Sequence, residues 1–283
     1  MKIAVICDSA TGLTKKEAEA LGMFYLPLQV IENDKVYLDG IDITLDEVWS
    51  KISQGIMLGT SMPPIGLIEE LFEQLIAANY DQIIAIPLSG GLSSTSKMLQ
   101  ATASRLNIPL YVVECYTTVN VQQYLAIRTQ ELVSSNTDYD TIINKLEDAI
   151  KHCNTIIVPN DLDHLAKGGR LTPLAATLGG LLKIKPILML NESTSGKIDV
   201  YQKVRTMSKA LKRIIELFEE QSIEEDWDIN ILHTGAEKEA KELAQLVAEK
   251  FPNNKIILGN INPVISCHTG LGCLGIQYIK KIK

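Results

Sequence analysis

Short apolar runs rich in Ile, Val, Leu and Ala recur along the chain at 2–7, 82–88, 109–115, 154–160, 185–190, 229–233, 255–258 and 263–267. Their length and β-branched content fit buried strands. Between them lie stretches with helical spacing of apolar positions, at 65–80, 138–153 and 237–251, and Thr44 followed by Glu47 has the spacing of a capping box that opens another helix. Alternation of this kind predicts an α/β protein whose parallel strands are joined by right-handed crossovers. The run 185–205 departs from it, reading as two strands around a turn from Asn191 to Gly196. A hairpin there puts antiparallel pairing in the second half. The expected architecture is therefore an N-terminal three-layer domain with a mostly parallel sheet over 1–153. A C-terminal α/β domain with a mixed or largely antiparallel sheet follows over 154–283.

With 46% hydrophobic but only 5% aromatic residues, the core must be aliphatic, as buried parallel strands under helices require. The formal charge of −7 argues against general nucleic-acid binding. Locally the balance reverses. Residues 160–213 hold ten Lys or Arg against four Asp or Glu, which suits either a docking face for an anionic partner or a solvated surface. Five cysteines, an odd number without a C-x-x-C pair, fit a reducing compartment, and the start of the chain has no secretory pattern. A soluble cytoplasmic protein is expected. No histidine stands at zinc spacing from cysteines, so no metal is expected.

Four polar loops could carry chemistry. Ser89-Gly90-Gly91-Leu92-Ser93-Ser94-Thr95 follows an apolar strand and opens a helix, the outline of an anion site built from backbone N–H groups, glycines and hydroxyls, or simply of a helix cap. Thr60 and Ser61 precede Pro63-Pro64 at another helix start. Lys167-Gly168-Gly169-Arg170 offers a guanidinium for a phosphate or carboxylate, or a surface turn. Ser266 to Gly275 places His268 and Thr269 after the apolar run 263–267 and contains a literal G-x-G-x-x-G. Only eight residues follow Gly275, too few for a dinucleotide-binding βαβ unit. A short echo, His-Thr-Gly at both 233–235 and 268–270, also stands out.

In order and spacing these loops, with Asp8-Ser9-Ala10-Thr11-Gly12-Leu13 near the start and Lys203-Val204-Arg205-Thr206 later, resemble the DegV family and the fatty-acid-binding subunit of bacterial fatty acid kinase. The resemblance implies a DegV-like fold holding one long-chain fatty acid between two domains. Thr60, Ser61, Gly91, Ser93, His268 and Thr269 would bind the carboxylate, and Arg170 and Arg205 would face the kinase or the phosphoryl group. It implies no catalysis by the chain alone and no cofactor. The separate kinase would form an acyl phosphate for an acyltransferase of phospholipid synthesis, with transient contact to a membrane surface. Met62, Pro64, Gly90, Ser94 and Leu271 depart from the family pattern, as does Glu114-Cys115 where Asp-Ser is common. Two other classes are weighed. A PP-loop ATP-binding enzyme would use 89–94, which lacks that loop's Asp, and a hydrolase would pair Ser93 with His268, without a G-x-S-x-G elbow.

Overall fold

A computed structural model of the chain describes residues 1–179 and 184–283. Its first half contains β1 (Ile3–Asp8), α1 (Lys15–Ala20), β2 (Phe24–Leu26), β3 (Gln29–Glu32), β4 (Lys35–Leu38), α2 (Leu45–Ser53), β5 (Gly59–Ser61), α3 (Ile65–Ala77), β6 (Gln82–Ile86), α4 (Thr95–Leu106), β7 (Leu110–Val112), α5 (Val119–Ser134) and α6 (Tyr139–Lys151). The second half adds β8 (Cys153–Val158), α7 (Leu162–Lys167), α8 (Pro173–Ala176), β9 (Lys185–Leu190), β10 (Asp199–Val204), α9 (Met207–Glu220), β11 (Trp227–His233), α10 (Glu237–Lys250), β12 (Lys255–Asn260), α11 (Pro263–Thr269) and β13 (Leu274–Lys280).

Among the described residues the strands form three sheets. The first, in order β2-β1-β6-β7, is wholly parallel. Alternation along β1 explains its two covered faces: Ala4 and Ile6 pack with Ile68, Phe72 and Leu99 of α3 and α4, while Val5 and Cys7 pack with Leu125, Ile142 and Leu146 of α5 and α6. The second sheet, β10-β9-β8-β13-β11-β12, is antiparallel except for the β11–β12 pair. The expected hairpin is β9–β10, and the expected capping box of α2 is formed by Thr44 and Glu47. A small antiparallel sheet, β4-β3-β5, was not evident in the sequence, and it turns part of the Thr60 loop into strand.

The mixed sheet treats its two faces differently. One carries Ile156, Ile229, Ile231, Ile276 and Tyr278 into a core under α9 and α10. The other, with Ile157, Leu188, Leu190 and Leu232, meets Val119 of the N-terminal half together with Leu165 of α7. That second face borders a cavity.

One expectation fails in a way that matters for function. The apolar run 263–267 is not a strand but the start of helix α11. Asn262 caps it by accepting from the Ile265 N–H, and Pro263 fits its first turn. The Asn262 amide also donates to the Ala10 carbonyl, at 2.6 Å, fastening the helix to the N-terminal half. Tertiary anchoring thus overrides the β-branched composition. His268 stands in the last turn of a helix rather than at a strand end, and the glycines after it lead into β13.

Candidate ligand-binding cavity

A cavity of about 400 Å³ opens where the loops of the first half meet the free face of the mixed sheet. Its polar lining includes Thr60, Ser61, Ser93, Arg170, His268 and Thr269, and Gly91 borders it too. Much of the rest is aliphatic, from Leu28, Ile157, Leu190, Ile198, Leu232 and Ile261 among others. Arg205 is exposed between β10 and α9, outside this lining. Lys183, one of the basic residues of the 160–213 segment, lies outside the described residues.

His268 organises the polar group. Its Nε2 lies 2.7 Å from Thr60 Oγ1, whereas its Nδ1 is sealed from water with no hydrogen-bond partner among the described residues. Burial, with the nearby Arg170 and His164, lowers its pKa to about 3, so the ring is neutral near neutrality. A sealed lone pair at Nδ1 costs less than a sealed N–H, which favours the tautomer with the proton on Nε2. His268 then donates to Thr60, and the Thr60 hydroxyl proton is free to point at an acceptor in the cavity. Gly168 makes the ring position possible, because a Cβ there would stand 2.8 Å from Nδ1. His164, from α7, bonds the Cys267 carbonyl through Nε2 at 2.9 Å and holds α11 from the other side.

The echoed His-Thr-Gly also has a structural meaning. Thr234 Oγ1 donates to the Gly270 carbonyl at 2.6 Å and accepts from the Cys273 N–H at 3.0 Å. The first copy thus clamps the loop that carries the second.

Arg170 is half-buried, its Nε donating to the Leu92 carbonyl at 3.3 Å and its Nη1 to the Gly168 carbonyl at 2.6 Å. Desolvation lowers its pKa, yet it remains the cationic side chain of the lining. The Ser89–Thr95 loop is less open than its composition suggests. The Gly90 N–H donates to the Glu114 carboxylate at 2.9 Å, Gly91 to Ser89 Oγ at 3.2 Å, and the Leu92 and Ser93 amides to the Ser89 carbonyl. Gly91 is needed for a different approach, since a Cβ on it would lie 2.2 Å from the Gly196 carbonyl oxygen. Ser93 Oγ pairs with Thr95 Oγ1 at 2.8 Å and accepts from the Thr95 N–H at 3.2 Å, just before α4 begins.

Those contacts weigh against both enzyme classes. A carboxylate bonds the Gly90 N–H that a PP-loop would offer to phosphate, and His268 bonds Thr60 rather than Ser93 and has no orienting acid among the described residues.

The model of the DegV family, described as an uncharacterised protein family, matches residues 2–281. The chain belongs to the DegV family. The DegV protein of Bacillus subtilis is 32% identical over 99% of this chain and the whole of its own length. A DegV domain-containing protein of Halalkalibacterium halodurans is also 32% identical, over 99% of each chain. Among solved structures, a Streptococcus agalactiae protein described as a fatty acid binding DegV family protein superposes with a TM-score of 0.91 at 31% identity over 99% of both chains. The Bacillus subtilis DegV structure, described as a fatty acid binding protein, gives a TM-score of 0.87 at 31% identity, over 99% of this chain and all of that one.

Within this DegV fold, sequence reasoning found the residues around the polar end and missed a second polar group. Thr118, Thr155 and Gln277 also line the cavity. Gln277 was missed because no strand was predicted after Gly275. Its alternation, Gly275 and Gln277 on one face and Ile276 and Tyr278 on the other, was the available signal. Among the described residues no group of three or more His, Cys, Asp or Glu could hold a metal ion, and no helix is long and apolar enough to cross a membrane.

Proposed function

We propose that this chain binds one long-chain fatty acid in the cavity, with the carboxylate at Thr60, Ser61, Ser93, His268 and Thr269, and presents it to a separate kinase. The observation that carries this reading is the 2.7 Å contact of Thr60 Oγ1 with the buried His268 Nε2 at one side of an aliphatic cavity, which with the Nε2-protonated tautomer leaves the Thr60 proton for a ligand. A carboxylate entering such a space must exchange water for hydrogen-bond donors, and neutral hydroxyls supply them without burying a second full charge. Arg170, beside the group, offsets the ligand's charge. Each buried methylene contributes about 0.8 kcal/mol, so a dozen of them supply on the order of 10 kcal/mol before ordering costs. The tail therefore provides affinity and the polar group provides orientation.

The relatives described as fatty acid binding support the ligand class at 31% identity. The kinase partnership, with an acyl phosphate passed on to an acyltransferase and a brief visit to the membrane surface, rests on the K-G-G-R and K-V-R-T segments and on the basic balance of 160–213. The carrier needs no cofactor and no catalysis of its own. A division into units over 1–153 and 154–283, with the ligand between them, matches the parallel and mixed sheets on either side of the cavity.

Denaturing mass spectrometry of freshly purified protein is expected to release a fatty acid near a one-to-one ratio. Protein that neither carries nor takes up any fatty acid would overturn the reading. For the partnership, Arg205→Ala is expected to leave lipid retention intact and to slow acyl phosphate formation when a fatty acid kinase and ATP are supplied. Equal loss of both would contradict a docking role.

A further inference from the structure

Val119 breaks a rule of its residue type. Its φ of 55° lies in the left-handed region, where a β-branched side chain crowds its own backbone. Asn33, Asn79, Asn107 and Asn136 take the same region in turns and at helix ends, where a short polar side chain tolerates it. Among the described residues Val119 is the β-branched one at positive φ. Conformations of this kind persist where the surroundings over-determine them, and they gather at ligand clamps and active sites.

The mixed sheet over-determines this one. Gln277 of β13 grips the backbone on both sides of Val119, its Nε2 donating to the Thr118 carbonyl at 2.7 Å and its Oε1 accepting from the Val121 N–H at 3.2 Å. The Asn120 side-chain amide donates to Asn230 Oδ1 of β11 at 3.1 Å. With residues 118, 120 and 121 fastened, residue 119 absorbs the turn from the loop into α5. The result is where its side chain goes. Val119 is 5% exposed, clusters with Ile157, Leu190 and Leu232, and lines the cavity. Every other buried member of that cluster comes from the second half of the chain. Glycine or asparagine would ease the backbone, but neither would set a branched apolar group into the cavity wall.

We propose that Val119 is a specificity-determining residue for the acyl tail, its isopropyl group held by the Gln277 clamp in the stretch of wall that the chain meets beyond the carboxylate. This rests on the fatty-acid reading above and assigns a residue to the tail.

The test is binding of straight-chain acids from octanoate to octadecanoate to lipid-stripped full-length protein, as the parent, as Val119→Ala and as Val119→Gly, by displacement of a fluorescent fatty acid. Both variants remove the isopropyl group, and the glycine also removes the backbone strain. Acids too short to reach Val119 are expected to bind parent and variants alike. Longer acids are expected to bind both variants about fivefold more weakly, the ratio stepping up at one chain length. Val119→Gly is expected to unfold at a higher urea midpoint than Val119→Ala, the reverse of the usual order for these two residues. A ratio that is the same at every length, whether one or larger, overturns the proposal and leaves Val119 a packing residue between the two halves. A glycine variant no more stable than the alanine variant overturns the strain on which it is built. If the parent binds no acid of any length, the fatty-acid reading itself has failed, an outcome readily told apart from the others.

Discussion

Two segments rich in glycine and hydroxyls border the same cavity, and they do opposite things with nearly the same composition. In Ser89–Thr95 most of the backbone donors are already taken, by Ser89 and Ser93 of the segment itself and by Glu114 of a neighbouring loop, and Gly91 lets the Gly196 backbone come close. The Ser266–Gly275 segment instead has its loop clamped from outside by Thr234, and it leaves His268 with one nitrogen engaged to Thr60 and the other unpartnered among the described residues. The first is a structural joint, and the second is the one that keeps a buried ring nitrogen without a partner among the described residues. Composition cannot separate them, because what differs is who occupies the donors.

The contrast can be broken most forcefully at Gly91. Gly91→Ala forces a Cβ onto the Gly196 carbonyl, and about 3 kcal/mol of destabilisation is expected, read as a lower urea midpoint. A midpoint unchanged within error would show that the joint yields.

Beneath α11 lies Asp39, buried, with one carboxyl oxygen unpartnered among the described residues. Burial pushes its pKa up from 3.8 to about 7, with Asp8 adding to the rise and Ser9 partly offsetting it. The native state therefore keeps a proton that the unfolded chain releases, so stability is lost as pH climbs from about 4 to about 7 and stays low above. Asp39→Asn is expected to add on the order of 2 kcal/mol at pH 8 and little at pH 4, checked by denaturation at both values. A gain of the same size at both would remove titration as the cause.

Smaller effects sharpen the comparison at the ligand. Thr60→Val removes the donor that His268 orients and should weaken fatty acid binding by roughly tenfold, measured by displacement of a fluorescent fatty acid, and should also lower stability by about 1 kcal/mol because the His268 ring loses its hydrogen-bond partner. Ser93→Ala, in the segment whose donors are already in use, should weaken it by only about two- to threefold in the same assay. An order reversed between these two would place the carboxylate on the other loop.

How much of this was legible in the sequence follows from the range of the interactions. Strands β1, β6 and β7 of the parallel sheet and helices α3, α6 and α10 show in local periodicity, whereas the three-residue β2 is too short to show, and the β9–β10 hairpin shows in its turn residues. Thr60, Ser93 and His268 are recoverable because hydroxyls and histidine cluster beside glycines. Helix α11 is not, since Val264 and Ile265 favour a strand until Asn262 ties the segment to Ala10, more than 250 positions away. The roles of Gly91 and Gly168 escape for the same reason: each is defined by a partner remote in the chain or by a ring that only folding brings near. The second polar group of the cavity lining escapes because Thr155 and Gln277 become neighbours only through strand pairing.

The order of strands in the mixed sheet has a consequence for biosynthesis. Strand β13 lies in the middle, between β8 and β11, although it is translated after every other strand of that sheet. Until residues 274–280 leave the ribosome, β8 and β11 each expose a bare edge, and the floor of the cavity is missing. A nascent chain halted before that point lacks one wall of the cavity, which closes only after the final insertion has locked the sheet.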